Sequence, residues 1–219
     1  MFLSRVPLNG ARVGARKILE SPQVAHAAVL AAFPPQPASD AGRLLWRIDH
    51  RDHQVDLYVV SPAEPDFTHI VEQAGWPTTT AWTTRKYTPL LDRLAVDQRW
   101  NFRLTANPVR AALERSVGTP PGRGKPTGLT LADQVQWLQK RAESNGFVIG
   151  GGSGAPDVVV SGRDTLRFRR RATTVTVSIA TYEGTLAVTD TDRLRHALTH
   201  GIGRAKAYGC GLLTLAPVQ

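Results

Sequence analysis

Cysteine is almost absent from this chain: one residue, Cys210, in 219. A single cysteine cannot close an intramolecular disulfide, and it excludes a cysteine-built zinc cluster. Long apolar runs are missing too, since none approaches the roughly 20 residues that a membrane span requires. The opening MFLSRVPLNGARVG is broken by Arg5 and Arg12 where a secretory leader would be continuously apolar. A soluble, cytoplasmic protein without a membrane partner is the expectation. Acidic residues are in deficit, with 18 Asp and Glu against 27 Lys and Arg, which leaves a formal net charge of +9. No helix-turn-helix signature, zinc-finger spacing or basic coiled coil accompanies that charge, so a DNA-binding or regulatory reading rests on charge alone. No strand carries the aromatic-rich pattern of a single classical RNA-recognition motif.

Arginine is abundant. It supplies 22 of the 27 basic residues, and its planar fork pairs with phosphate and stacks on bases better than an ammonium does. A GC-rich genome would favour arginine over lysine, but it would not produce the excess of bases over acids. A polyanionic partner, nucleic acid above all, is the expectation. The length permits one large domain or two small ones, and a hydrophobic fraction of 42% is that of a folded protein.

MFLSRVPLN alternates as a first strand, with Phe2, Val6 and Leu8 on one face. GARVGARK reads as a basic linker. Ser21 followed by Pro22 starts a helix expected to reach Phe33 and to stop before PPQPASD. RLLWRIDH and QVDLYVVS form a hairpin joined by HRDHQ, and TTRKYTPLLDRL is a short helix or irregular segment. QRWNFRLTANPVR sets Trp100, Phe102 and Leu104 against Arg99, Asn101 and Arg103, and SVGTPPGRGKPTGL is a flexible basic loop. Thr130 with Asp133 makes a capping box for a helix with Leu131, Val135 and Leu138 on its apolar face, ended by Asn145-Gly146. Strands are expected at DVVVSG, TLRFRRR, TVTVSIATY and TLAVTD. A helix at DRLRHALTH closed by Gly201, a glycine loop and the strand CGLLTLAP finish the chain. This rhythm predicts an α+β protein of two tandem ferredoxin-like βαββαβ (RRM-like) domains, 1–94 and 95–219, without sequence self-similarity between the halves.

The loop HGIGRAKAYGCGLL holds Gly201, Gly203, Gly209 and Gly211, and glycine lets a backbone approach phosphate closely. A dinucleotide fingerprint needs strand, glycine turn, then helix, and here the order is reversed. A P-loop needs Gly-Lys followed by Ser or Thr, which is missing. The glycines are either a helix cap with a packing turn or a contact to a nucleic-acid backbone. Arg204 and Lys206 between them favour the second.

GIGRAKAYGCGLLTLAP resembles the glycine-rich loop of the RAMP superfamily of CRISPR-associated RNA-binding proteins. MFLSRVPLN, ILESPQVAH, RLLWRID, SPAEPDF and FRLTANPVR resemble, in the same order, blocks of the CasE family of repeat-processing endoribonucleases of type I-E CRISPR systems. The resemblance runs from residue 1 to residue 217. It implies tandem ferredoxin-like domains, a basic surface holding the hairpin of a CRISPR repeat, and metal-independent cleavage at its 3′ base by 2′-hydroxyl attack. A 2′,3′-cyclic phosphate and a 5′-hydroxyl would result. It further implies no cofactor, and retention of the guide RNA within the multisubunit complex Cascade.

Such chemistry calls for a base of pKa near working pH, and histidine is suited to it. Spacing alone puts His26 beside Leu30 and Phe33, as a packed core histidine would be. The resemblance instead makes His26, in SPQVAHA, the catalytic residue. Some family members carry tyrosine three residues earlier, where this chain has Gln23, whose amide can donate to a phosphate oxygen but cannot act as acid or base. Either that tyrosine is dispensable or a basic residue supplies charge and a proton, with Arg204 and Lys206 as the candidates. Gln23 also keeps open a non-catalytic RNA-binding scaffold. His50 and His53 fall in a hairpin turn. His196 and His200 are four apart on a helix, a spacing that two metal ligands could use, but no HExxH or further cluster joins them, so no metal is assigned. RDTLRFRRRA holds Arg163, Arg167, Arg169, Arg170 and Arg171, five arginines in nine residues. It resembles the basic hairpin with which the family engages the RNA stem. The expected RNA-binding residues are therefore these five together with Arg204, Lys206, Gly201, Gly203 and Gln23.

Overall fold

A computed structural model describes residues 1–34, 42–77, 82–109, 129–150, 157–170 and 173–218. The first half runs β1 (Phe2–Leu8), α1 (Val13–Glu20), α2 (Pro22–Leu30), β2 (Leu45–Arg51), β3 (Gln54–Ser61), α3 (Thr68–Ala74) and β4 (Thr83–Lys86), followed by α4 (Thr88–Arg93). Its strands lie in the antiparallel order β2-β3-β1-β4. The second half runs β5 (Arg99–Ala106), α5 (Leu131–Ser144), β6 (Phe147–Ile149), β7 (Val158–Arg170), β8 (Thr173–Val188), α6 (Thr191–His200) and β9 (Leu213–Pro217). Its order is β6-β8-β5-β9, with β7 also paired to β8. In each half the second strand of the motif lies at one edge, next to the third, then the first, then the fourth. The protein is a tandem of two ferredoxin-like βαββαβ units, in the α+β class expected from the sequence.

The local signals explain most of these elements. Ser21 accepts from the Val24 amide and Pro22 opens α2, while Thr130 and Asp133 form a reciprocal capping box on α5. Gly201, at φ 76°, ends α6. Trp100, Phe102 and Leu104 are buried on one face of β5. The stretch GARVGARK, expected as a basic linker, is largely α1, a helix. Its Gly14 lies so close to α3 that a Cβ there would stand 2.3 Å from the Gln73 carbonyl oxygen. Its leading Arg12 donates to the carbonyls of Val71, Glu72 and Gly75 at the end of α3. Gly14 and Arg12 thus serve helix packing and capping. The segment TTRKYTPLLDRL splits into β4 and α4. DVVVSG and TLRFRRR, as far as Arg170, form one strand, β7, with an irregularity between Val160 and Gly162, and TVTVSIATY and TLAVTD form β8. The buried face of α5 is Gln134, Leu138 and Ala142, and Leu131 is exposed. The basic loop SVGTPPGRGKPTGL lies, but for its final residue, outside the described residues.

Two buried clusters hold the chain. One lies between the first sheet and its helices and includes Val6, Leu8, Ile18, Val29, Leu57 and Phe67. The other is shared: Leu45, Val60 and Tyr87 from the first half pack with Trp100, Leu138 and Leu198 from the second. The first sheet is therefore covered on both faces, by its own helices and by the second unit. This shared core brings the glycine loop of the second half against β2 of the first.

Candidate functional site

His26 sits half-buried on α2, one helical turn after Pro22. Its Nδ1 accepts from the indole Nε1 of Trp46, on β2, at 3.4 Å. Burial holds its pKa below the ordinary 6.5, because a charged ring loses hydration there. His26 is therefore neutral at pH 7, the state a base needs. Gln23 is exposed three residues earlier, on the same side of the helix.

Beside this helix a cleft of about 450 Å³ opens between the two halves. Its lining includes Pro22 and Trp46 from the first half, Arg163 and Thr181 from β7 and β8, and Tyr208 and Gly209 from the glycine loop. α2 also packs on the 3-10 turn Lys206–Tyr208 within that loop and on β7. The fold thus gathers the histidine helix, the glycine loop and the basic strand at one place, although they lie far apart in sequence.

The glycines of the loop are packed against protein. A Cβ on Gly201 would stand 2.8 Å from a Leu45 methyl, one on Gly203 would stand 3.3 Å from the Trp137 ring, and one on Gly209 would stand 2.8 Å from the Trp46 ring. Arg204 is exposed and Lys206 half-buried. Burial first, then the neighbouring Arg43 charge, lowers the Lys206 pKa.

On β7, Arg163, Arg167 and Arg169 are exposed, while Phe168, on the opposite face of the strand, is buried. Phe168 packs on Tyr208 with ring centroids 4.7 Å apart and planes at 60°. That contact ties the back of the hairpin to the glycine loop and leaves the arginine face outward. Arg163 also donates to the Leu129 carbonyl at 3.0 Å. Arg170 ends β7 in the backbone ladder opposite Thr173, and Arg171 lies outside the described residues.

Of the other histidines, His50 lines the cleft between the halves. His50 and His53 flank the β2–β3 turn and are exposed, and His69 on α3 meets the Ala28 carbonyl through Nε2 at 2.9 Å. His196 and His200 stack with ring centroids 4.0 Å apart. Among the described residues, no group of three or more His, Cys, Asp and Glu could hold a metal ion, and no helix is long and apolar enough to cross a membrane.

Sequence reasoning does not single out Trp46 or Tyr208. An aromatic inside RLLWRID carries the periodicity of a strand and nothing more. Tyr208 lies in the middle of a glycine loop whose basic residues are its conspicuous chemistry.

The likeness to known proteins extends over the whole chain. The family model described as "CRISPR associated protein" matches residues 1–217. The chain is 31% identical to the CRISPR-associated endoribonuclease Cse3 of Thermus thermophilus, over 99% of this chain and 100% of that protein. It is 28% identical to the CRISPR system Cascade subunit CasE of Escherichia coli, over the full length of both. A solved structure of Cse3 from Thermus thermophilus, bound to an RNA representing a pre-cleavage complex, superposes with a TM-score of 0.78 at 31% identity, over 99% of this chain and 98% of that one.

Proposed function

The chain belongs to the CRISPR-associated protein family, and from that footing we propose that it cuts precursor CRISPR RNA at the 3′ base of the repeat hairpin, with His26 as the base. The observation that carries the reading is the end-to-end likeness to an endoribonuclease solved on RNA before cleavage. The chain is an endoribonuclease of CRISPR RNA processing, and its partners are the repeat RNA and the other subunits of Cascade.

The chemistry follows from the groups gathered at α2. Neutral His26 removes the proton of the 2′-hydroxyl beside the scissile phosphate. The freed oxygen attacks phosphorus in line, and the bond to the 5′-oxygen breaks. The products are a 2′,3′-cyclic phosphate and a 5′-hydroxyl. An internal nucleophile needs only deprotonation and a held geometry, so the reaction is proposed to run without a metal or cofactor. Of the two basic residues in the glycine loop, the Lys206 ammonium, with its lowered pKa, is the better proton donor to the leaving oxygen. Arg204 cannot give up its proton, and so serves as charge for the phosphate. The amide of Gln23, beside His26, donates to a phosphate oxygen. Gly201 and Gly203 shape the loop that carries the two cations.

Arg163, Arg167 and Arg169 grip the stem, together with Arg170 and Arg171, which follow them in sequence. The deep A-form major groove admits mainly phosphate contacts from such a ribbon. The units 1–94 and 95–219 divide the work, one carrying the base and the other the grip. The product stays bound as guide RNA within Cascade, in the cytoplasm where the transcript is made.

The experiment is cleavage of an end-labelled CRISPR repeat hairpin in EDTA, comparing the native chain with His26→Ala. The native chain should cut once at the hairpin base, and His26→Ala should bind without cutting. If both bind and neither cuts, the chain is an RNA-holding scaffold and the nuclease reading is wrong.

A further inference from the structure

The glycine loop reaches His26 through a tryptophan. Gly209 has φ 79°, and a Cβ there would lie 2.8 Å from Cζ3 of Trp46, so the loop backbone rests on the six-membered edge of the indole. The other edge of the same ring meets His26: Nε1 donates to Nδ1 at 3.4 Å. Trp46 is only 3% exposed, so its ring cannot turn away unless the loop moves.

An indole nitrogen only donates, whereas a neutral imidazole has one N–H and one lone pair. Since Nδ1 accepts from Trp46, Nδ1 carries the lone pair and Nε2 carries the proton. We propose that Trp46, clamped by Gly209, is a positioning residue that holds the resting His26 in the Nε2–H tautomer. Two consequences follow, both resting on His26 being the cleaving base. The resting ring first meets RNA as a hydrogen-bond donor at Nε2. It can take a 2′-hydroxyl proton there only after the ring proton has moved to Nδ1, which requires the indole to let go. Trp46 lines the cleft between the halves, so RNA entering the cleft is the event placed to release it. The glycine loop thereby acts on cleavage from behind, through the indole, in addition to any contact it makes with RNA.

The test is a two-bond ¹H–¹⁵N correlation spectrum of the full chain labelled with ¹⁵N-histidine, recorded without RNA at mildly alkaline pH. His69 is an internal reference, because Nε2 opposite the Ala28 carbonyl must carry the proton. The native His26 should show an unprotonated Nδ1 and a protonated Nε2. In Trp46→Phe the share of the Nδ1–H form should rise roughly fivefold, the bias given by one ordinary neutral hydrogen bond, with His69 unchanged. A native His26 protonated at Nδ1 would overturn the proposal, as would an unchanged tautomer ratio in a folded Trp46→Phe. If that variant does not fold, the native spectrum still decides. Because no RNA is present, a chain that fails to cut sinks the nuclease reading and leaves the tautomer standing. A protonated Nδ1 in a chain that cuts does the reverse.

Discussion

Arg47 and Asp49, two residues apart and so on one face of β2, form a doubly bonded ion pair: Nε meets Oδ1 at 2.7 Å and Nη2 meets Oδ2 at 2.9 Å. Their side chains are 2% and 1% exposed. Arg47 sends its remaining donors across to the second sheet, to the carbonyls of Arg103 and Leu212 and the hydroxyl of Thr214. Arg103 returns the contact, lying 3.3 Å from Asp49 and also pairing with Glu183. The two ferredoxin-like units are therefore joined by a buried polar network as well as by a shared apolar core.

Removing one member of that network leaves a buried charge without its partner, which typically costs about 3–5 kcal/mol. Asp49→Ala should lower stability by that order in urea unfolding. The double variant Arg47→Met with Asp49→Leu, which removes both charges and keeps the volume, should cost clearly less than the two single changes added together. Additive costs would mean that the pair does not act as a unit.

The pH dependence of cleavage follows from the environment of His26. A base acts only when neutral, so the single-turnover rate at sub-saturating protein, which reports the ionisation of the RNA-free chain, should rise as pH climbs through the His26 pKa and then level off. Burial moves that pKa downward from 6.5, which places the midpoint of the rise below 6.5. The check is the rate on a repeat hairpin from about pH 5 to pH 8, a range that brackets an ordinary histidine. A midpoint above 6.5 would contradict a buried neutral base.

The exposed arginines of β7 should govern grip and salt dependence, and not the chemical step. Every cation withdrawn from a phosphate lowers the slope of log affinity against log salt by roughly 0.7–0.9. Replacing Arg163, Arg167 and Arg169 together by alanine should therefore flatten the slope by about 2–3, while bound RNA is cut at near the native rate. Arg163 already donates to the Leu129 carbonyl, so Arg167 and Arg169 should account for most of the change. An unaltered slope would show that the stem is held elsewhere.

Much of this architecture is legible in the sequence because local signals and the fold agree. Ser21-Pro22, the Thr130–Asp133 box and Gly201 each mark a helix end by satisfying backbone groups that a helix leaves open, and each does so in the structure. Two of the departures share a cause. Gly14 and Gly184 look like breaks between elements, yet glycine also appears where two backbones must touch. A Cβ on Gly184 would stand 2.0 Å from the Asp157 carbonyl oxygen, and β8 runs straight through it. His26 can be proposed from sequence only through family likeness, because helical spacing makes it a core residue. Its partner Trp46 is out of reach: the pairing depends on how β2 lies beneath α2, which no local pattern encodes.

Phe168 offers a way to separate orientation of the hairpin from its charge. It is 8% exposed and sits on the face of β7 opposite Arg167 and Arg169, packed on Tyr208. Phe168→Ala removes the aromatic pair, whose geometry contributes about 0.5–1.5 kcal/mol beyond buried area, but it touches no arginine and breaks no rung of the β7–β8 ladder. Affinity for the repeat hairpin should fall several-fold while the salt slope stays native, because the same cations remain and only their bearing changes. Cleavage of bound RNA should fall as well, since the turn that carries Tyr208 also packs on the helix bearing His26. Native affinity and rate in this variant would mean that the strand ladder alone orients the arginines, and that Tyr208 matters to the loop but not to the grip.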